Sequence, residues 1–478
     1  MAVVPEGPNA FFYLSPVEEG KARCFAVRRG AIAGRADVIF HQPWVRARLA
    51  PLEKAKFPVT NLGAVIYEIR YGTGTPPPYL EPGADTVPFV RATDIKDGEV
   101  NAETLLHIAA VQPRSLEKCR LTGGELIIVR SGVNTGDCAV IPASLAGAYA
   151  AYDLILTFRP SASARFVAMF LDTEIGRLQL NLVRGRAAQP HINAEEVSAL
   201  RIPLPHLEVQ DNLVAAMDAA RAERLRKLAE ADTLLSGLDG FLLSTLGLTP
   251  PSKVERKAYA IEYHELRGRF DPKTYLYREH TSTKPFPFYS LGSLTIDEPA
   301  YGSGARAVKR TSDDQPKYIR ITDFRDDGIP LGHEFVTAEI IEEDCALEDG
   351  DILFARSGAT AGKTFIYTQD LGPAVFAGYC IRFRFDQSRV MSRFVYYFTK
   401  TSAYREWVAT IQRPSGQPNI NKEEFKSLEL PIPPLEVQRQ VVERLDAESQ
   451  RVQALRVMAE AGWQAAKHWF EEQLLGDV

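Results

Sequence analysis

Gly124-Glu-Leu-Ile-Ile-Val-Arg130-Ser131-Gly132 returns later in the chain as Gly350-Asp-Ile-Leu-Phe-Ala-Arg356-Ser357-Gly358. Each block is an apolar run bounded by glycine, which predicts a short strand at Glu125 to Val129 and another at Asp351 to Ala355. Each ends on Arg-Ser-Gly, and a second glycine follows four residues on, Gly136 and Gly362. The correspondence extends both ways at an offset of 226 to 234 residues. Upstream, Arg35-Ala-Asp37 answers to Arg269-Phe-Asp271, and Leu62-Gly63 to Leu291-Gly292. Tyr71-Gly72-Thr-Gly74 answers to Tyr301-Gly302-Ser-Gly304, and Arg91-Ala-Thr-Asp94 to Arg320-Ile-Thr-Asp323. Downstream, Gln189-Pro190-His-Ile-Asn193 answers to Gln417-Pro418-Asn-Ile-Asn421. Ile202-Pro-Leu-Pro-His-Leu-Glu-Val-Gln210 answers to Leu430-Pro-Ile-Pro-Pro-Leu-Glu-Val-Gln438. Convergent turn chemistry explains repeated glycines. It does not explain Leu-Glu-Val-Gln recurring after the same proline pattern, so the chain is an internal duplication.

Each repeat has a mixed part and a helical part. In the mixed part, Tyr379 to Phe385 alternates apolar and charged residues, the period of a half-buried strand, with Tyr152 to Phe158 as its counterpart. A short helix is expected at Phe166 to Leu180 and again at Phe394 to Trp407. The helical part runs from Glu208 to Leu246 and from Glu436 to Leu475, both free of proline. Leu228, Leu235 and Leu242 lie seven apart, with Ala231 and Leu238 between them, giving a coiled-coil seam. Leu445, Val452, Ala459 and Ala466 form a second stripe. Val441, Leu455 and Trp469 form a weaker companion, broken by Glu448 and Gly462. Each helix could pack on its own globular part. Two similar seams in one chain more naturally pack on each other, antiparallel. The fold expected is α+β: two similar mixed domains, 1–205 and 249–433, joined by long antiparallel coiled-coil helices at 206–248 and 434–478. Prolines 250 and 251 mark a turn into the second repeat, Thr249 to Arg256.

Composition narrows the function. The length, 478 residues, exceeds one ordinary domain, and 45% hydrophobic residues allow each domain its own core. No run of about 18 apolar residues predicts a membrane span. Met1 to Gly20 lacks the basic and apolar segments of a signal peptide. Five scattered cysteines form no CxxC pair, which argues against a zinc site or disulfide framework and fits a reducing cytoplasm. A net charge of −5 argues against nonspecific coating of nucleic acid, but not against reading by a few placed side chains.

Two stretches imitate catalytic motifs. Gly358-Ala-Thr-Ala-Gly362-Lys363-Thr364 resembles a phosphate loop, but has three residues where four are needed before Gly-Lys. Its twin has Asp137 in place of lysine. Glu424-Phe-Lys426 has part of a nuclease spacing, but no paired upstream aspartate, and reads better as an acidic helix start. No nucleophile elbow, metal-binding histidine pair or amino-methyltransferase motif occurs, so no catalytic or metal residue is assigned.

The remaining repeated polar residues fall in loops beside strands. Arg130 and Arg356 could take a guanine edge, clamp a phosphate, or cap turns within their own domains. Asp94 and Asp323 read as turn caps. Gln189 and Gln417 sit in loops with Arg184 and Arg186, and with Arg413 and Asn419; amides suit adenine edges. Residues that differ at matched places are the better candidates for telling two sequences apart: Asn134 against Thr360, Asp137 against Lys363, His191 against Asn419. Arg306 to Asp327 holds six basic and five acidic residues, so it is no simple basic patch.

The strand with Arg-Ser-Gly, the Gln-Pro-x-Ile-Asn loop and the proline-flanked Leu-Glu-Val-Gln before each long helix resemble the specificity subunits of type I restriction-modification systems. The resemblance covers nearly the whole chain, twice. It implies two target-recognition domains, each reading half of a bipartite, asymmetric site on double-stranded DNA. It implies that the coiled coil spaces the half-sites and docks two modification subunits, which bind S-adenosylmethionine and methylate adenine. A separate motor-nuclease (restriction) subunit would use ATP and magnesium. This chain would carry no cofactor and no catalysis, and would have no membrane partner. The DNA-facing residues expected are Tyr71, Arg91, Arg130, Ser131, Asn134, Gln189 and His191 in the first repeat. In the second they are Tyr301, Arg320, Arg356, Ser357, Thr360, Lys363, Gln417 and Asn419. Leu228, Leu235, Leu242, Leu445, Val452 and Leu455 mark the docking helices. Two rivals stand beside this reading, a fused methyltransferase or nuclease with unfamiliar motifs and an adaptor that does not bind DNA.

Overall fold

The apolar run of each opening block is uninterrupted because its strand is covered on both faces. In a computed structural model, which describes strands 11–13 and 25–27 and residues 40–184, 191–248, 285–324, 334–412 and 418–476, the chain divides into two units. The first comprises 1–225 and 459–478, the second 226–458. The expected turn at Thr249 to Arg256 and the matched 35–37 and 269–271 blocks lie outside the described residues.

In the first unit, β1 (Ile66–Tyr71), β2 (Leu126–Ile128), β3 (Cys138–Val140) and β4 (Leu154–Phe158) form an antiparallel sheet in the order β3-β2-β4-β1. Leu126, Ile128, Leu154 and Leu156 face one core, while Ile127, Val129, Ala139 and Ile155 face another. Alternation therefore sorts residues between two apolar cores, not between core and water. In the second unit, β5 (Ala300–Tyr301), β6 (Ile352–Ala355), β7 (Thr364–Ile366) and β8 (Cys380–Phe383) repeat the order as β7-β6-β8-β5. A short parallel pair accompanies each sheet: Thr86–Val90 with Tyr149–Ala150, and Lys317–Ile319 with Ala374–Phe376.

Two local expectations need correction. The strand Cys380–Phe383 is not half-exposed, because Cys380, Ile381 and Phe383 are all buried. Its arginines lie against protein groups: Arg382 reaches the carbonyls of Asp344 and Ala346, and Arg384 pairs with Asp351 at 2.8 Å. Each expected short helix is two helices. They are α1 (Ala164–Leu171) and α2 (Glu174–Arg184) in the first unit. After the long α3 (Leu207–Thr245), the second unit has α4 (Ser392–Phe398) and α5 (Ser402–Ile411). Threonines make the breaks. Thr401 caps α5 by accepting the Tyr404 N–H, and Thr173 accepts the Gly176 N–H at 3.2 Å. A Cβ on Gly176 would stand 2.1 Å from the Phe170 carbonyl oxygen, so α2 begins tight against α1.

The second long helix is α6 (Leu435–Leu475). In the first unit Leu213, Val214 and Met217, near the start of α3, share a core with Trp463, Phe470 and Leu474 near the end of α6. In the second unit Leu242 and Leu246, at the end of α3, share a core with Val441, Val442 and Leu445 at the start of α6. Opposite ends meet in each unit, so the helices are antiparallel. Ion pairs flank the seam: Arg224 with Glu460 at 3.4 Å in the first unit, Arg451 with Glu230 at 3.2 Å in the second. Trp469 does not belong to the seam; it is exposed, and Trp463 and Phe470 are buried instead.

The recurrent Leu-Glu-Val-Gln has a plain cause. Gln210 is fully buried, accepts the Ser163 N–H at 2.9 Å and donates to the carbonyls of Ser161 and Pro205 at 2.9 and 2.8 Å. Gln438 repeats this with Met391 N–H and the carbonyls of Arg389 and Pro433. One side chain ties each long helix to the loop before the short helices.

Candidate functional site

A corner at the end of β1 gathers several of the expected residues of the first unit. Gly72 brings the chain so close to Ala151 that a Cβ would lie 1.6 Å from its carbonyl oxygen. The turn places Tyr71 under the guanidinium of Arg130, 4.8 Å from ring centroid to Cζ. Tyr152 lies against the same guanidinium at 4.1 Å. Arg130 Nη2 donates to His191 Nε2 at 2.5 Å. Ser131 bridges to His191, and the Ile192 N–H bonds the Arg130 carbonyl at 2.9 Å. The Tyr71 hydroxyl accepts the Ala194 N–H at 3.2 Å, beside the capping box of Asn193 and Glu196.

The second unit builds the same corner. Arg356 lies over Tyr301 at 4.8 Å. Ser357 bridges to Asn419, the Ile420 N–H bonds the Arg356 carbonyl at 2.8 Å, and the Tyr301 hydroxyl accepts the Lys422 N–H at 3.4 Å. A Cβ on Gly302 would meet the Phe376 carbonyl at 2.4 Å. Tyr379, the twin of Tyr152, is exposed, with no contact to Arg356 of the kind Tyr152 makes among the described residues.

The glycine-bounded loop that imitates a phosphate loop is the tip of a β6–β7 hairpin. Gly362 N–H returns to the Ala355 carbonyl and Lys363 N–H to the Thr360 carbonyl. A strand follows where a phosphate cradle needs a helix N-terminus. The first unit has the same turn, with Asp137 N–H on the Asn134 carbonyl. Glu424 is likewise accounted for, in a capping box with Asn421.

The other expected residues divide. Asn134 and Thr360 stand at the hairpin tips, next to Ser131 and Ser357. Asp137 is held by Arg177 at 2.7 Å, which also grips Asp172 at 2.8 Å. Lys363 occupies the matching place and is half-buried. Arg91 is not part of the corner: it clamps Asp94 through Nε and Nη2 at 2.9 and 2.7 Å and reaches the Thr104 carbonyl at 2.8 Å. Arg320 stands over Asp323 in the same way, at 3.6 Å. Gln189 and Gln417, with Arg186 and Arg413, lie outside the described residues. Leu242, Leu445 and Val452 are buried, and Leu228, Leu235 and Leu455 half-buried.

Asp153 enters the corner unannounced. It is buried, accepts the Arg130 backbone N–H at 3.2 Å, and burial pushes its carboxyl up to about 6. The folded state thus holds this proton more tightly than the unfolded chain, where an aspartate sits near 3.9. Its contribution to stability is present at pH 4 and lost as pH rises through 6. Asp153→Asn should therefore gain melting temperature over the parent between pH 4 and pH 8. A difference that stays flat over that range would remove the burial argument.

Tyr152 and Tyr379 were legible, since they match across the repeats and open the two matched strands. Lys118 was not, since its counterpart is Asp344. Nor was an exchange between strands: Arg70 on β1 bonds the carbonyls of Lys118 and Arg120, while in the second unit Arg382 on β8 bonds those of Asp344 and Ala346. Arg70 faces Ile155 across the sheet, and Arg382 faces Ala300. The arginine has moved to its cross-strand partner position and kept its target.

Residues 309–454 match the family described as the type I restriction modification DNA specificity domain. The StySPI specificity subunit of Salmonella potsdam is 23% identical over 406 residues, 82% of this chain and 81% of that protein. The EcoKI specificity subunit of Escherichia coli (strain K12) is 26% identical over 144 residues, 30% of this chain and 31% of that one. A solved chain reported in a study of complex assembly and conformational transition of the type I R-M system aligns over 88% of this chain and all of its own, at 17% identity and a TM-score of 0.49. By the family model and the curated relatives, the chain is similar to the DNA specificity subunits of type I restriction-modification systems. Among the described residues, no helix is long and apolar enough to cross a membrane.

Proposed function

We propose that each unit reads one half of a bipartite, asymmetric DNA site, through the corner built by Tyr71 and Arg130 in one unit and Tyr301 and Arg356 in the other. The observation that carries this is the corner itself, repeated to the same 4.8 Å stack while its neighbours differ. Shared residues suit docking to a common backbone. Asn134 against Thr360 and His191 against Asn419 suit discrimination between half-sites. Segments 1–205 and 249–433 act as the target-recognition domains. The long helices dock two adenine-modification subunits that bring S-adenosylmethionine, and the motor-nuclease subunits bring ATP and magnesium. The complex works in the cytoplasm on double-stranded DNA.

Exchange of residues 1–205 for the first half of a relative, followed by mapping of methylated adenines in cells, tests the reading. One half of the methylated site should change and the other stay. Change in both halves, or in neither, would overturn the assignment of one reader to each unit. Methyl transfer or cleavage by the purified chain with S-adenosylmethionine and magnesium would instead point to catalysis within it.

A further inference from the structure

We infer that the recess beside Tyr71 in the first unit is an anion site, and that Arg130 and Lys118 hold one phosphodiester of the DNA backbone there. This rests on the DNA-recognition reading above. The recess, about 490 Å³, is lined by Tyr71, Gly72, Ser115, Lys118, Arg130 and Tyr152. Arg130 is only 9% exposed, and its Nε is buried without a hydrogen-bond partner. No carboxylate among the described residues forms an ion pair with its guanidinium; Asp153, bonded to the Arg130 backbone N–H, is the negative charge near it. Two tyrosine faces and one histidine nitrogen offset part of the burial. A cation so enclosed has no counter-ion in direct contact, and the open side of the recess is where one can arrive.

The same geometry favours phosphate over a base. Bidentate recognition of guanine needs two free, coplanar N–H groups that can be steered to the base edge. Here Nη2 is committed to His191, and the guanidinium packs against two tyrosine rings. A phosphate oxygen can accept a charge-assisted bond from a single remaining N–H, and it carries the counter-charge that a base edge lacks. Lys118 and Ser115 are exposed on the turn Arg114–Cys119 that lines the recess. Arg70 fixes that turn through the Lys118 and Arg120 carbonyls at 3.1 and 2.9 Å.

The second unit keeps the arginine over its tyrosine but has no lysine at the place of Lys118. Its equivalent turn is held the same way by Arg382, but Asp344 stands where the first unit has Lys118, with Glu342 nearby. Carboxylates there repel phosphate. The two halves are thus expected to differ in backbone contact as well as in base readout.

The test uses the full chain and duplexes that it selects from a randomised pool. Binding is followed across a salt series. Lys118→Ala, a change at an exposed position, should reduce the slope of log K against log salt by about 1. It should lower low-salt affinity roughly 5–10-fold, a phosphate contact's share of binding, and leave the selected sequence unchanged. Lys118→Arg should keep the slope, and Asp344→Ala should not lower it. In duplexes carrying single methylphosphonates, one position in the first half-site should weaken the parent but not Lys118→Ala. An unchanged slope in Lys118→Ala overturns the phosphate site. A changed base preference at an unchanged slope overturns it in favour of base reading. If the parent itself selects no sequence, the failure belongs to the DNA-recognition reading, since the salt series can then still be measured on random duplex.

Discussion

Gln210→Leu is expected to cost at least about 3 kcal/mol of stability, at about 1–3 kcal/mol for each of three backbone groups left without a partner. The change keeps volume close to constant and removes only the amide. Three groups then lose their partner: the Ser163 N–H and the carbonyls of Ser161 and Pro205. Gln210 is 0% exposed, so water cannot take its place without opening the joint. A loss of that size is a large fraction of the roughly 5–15 kcal/mol that holds an ordinary domain folded. Gln438→Leu should do the same in the second unit, on Met391, Arg389 and Pro433. Gln210→Glu keeps the acceptor for Ser163 and should place a charge among carbonyls, so it is no rescue. The measurement is the denaturant midpoint, with Leu207→Ala as the neighbouring control, since Leu207 is 44% exposed. A loss below about 1 kcal/mol for Gln210→Leu would mean that the helix is anchored by its apolar contacts alone, because a single net hydrogen bond is worth about that much.

The sequence carried the duplication because selection for one backbone leaves the same residues at the same bends. Tyr71 and Tyr301, Gly72 and Gly302, and Gln210 and Gln438 each satisfy a local demand twice, and each could be read. What failed to show was whatever depends on the sheet's neighbours. Arg382 looked like the solvent side of a half-buried strand; only the turn packed over that face turns it inward. Arg91 reads as a DNA-facing cation, although Asp94, three residues on, already holds it. The helix seam slipped for a geometric reason. A straight helix drifts by about 20° per heptad against a strict seven-residue stripe. From Val441 to Trp469 is four heptads, so the drift approaches the 100° of one residue. The buried position is accordingly Phe470, one residue further on. Lys118 was invisible because the search rewarded matches, and its interest lies in being a mismatch of charge.

Gly72→Ala should be the most damaging single substitution in the corner, at more than about 3 kcal/mol, the range reached by overpacking at a site that cannot relax. The reason is contact and not backbone preference. Gly72 does not adopt a left-handed conformation, yet its added Cβ would lie 1.6 Å from the Ala151 carbonyl oxygen and 2.7 Å from that of Ala150. Neither obstacle is a flexible side-chain end that could swing aside. To admit the methyl, β1 must part from the segment after Tyr149. That breaks the Gly72 N–H bond to Asp153 and the Thr73 N–H bond to Ala150, at 3.0 and 3.1 Å. Tyr71 would move with it, and Arg130 would lose one of its two rings. Gly132 supplies the contrast: its φ is +93° but nothing lies within 4 Å of an added Cβ. Gly132→Ala should therefore cost only the roughly 1–2 kcal/mol of a left-handed residue. Thermal melting of the two variants separates the causes. If Gly132→Ala proved equal to or worse than Gly72→Ala, close approach at the corner would not be what glycine is kept for. If Gly72→Ala fell as expected, the repeated Tyr-Gly would be explained as the joint that brings a ring to its arginine, with Gly302→Ala the matching loss in the second unit through the Phe376 carbonyl at 2.4 Å.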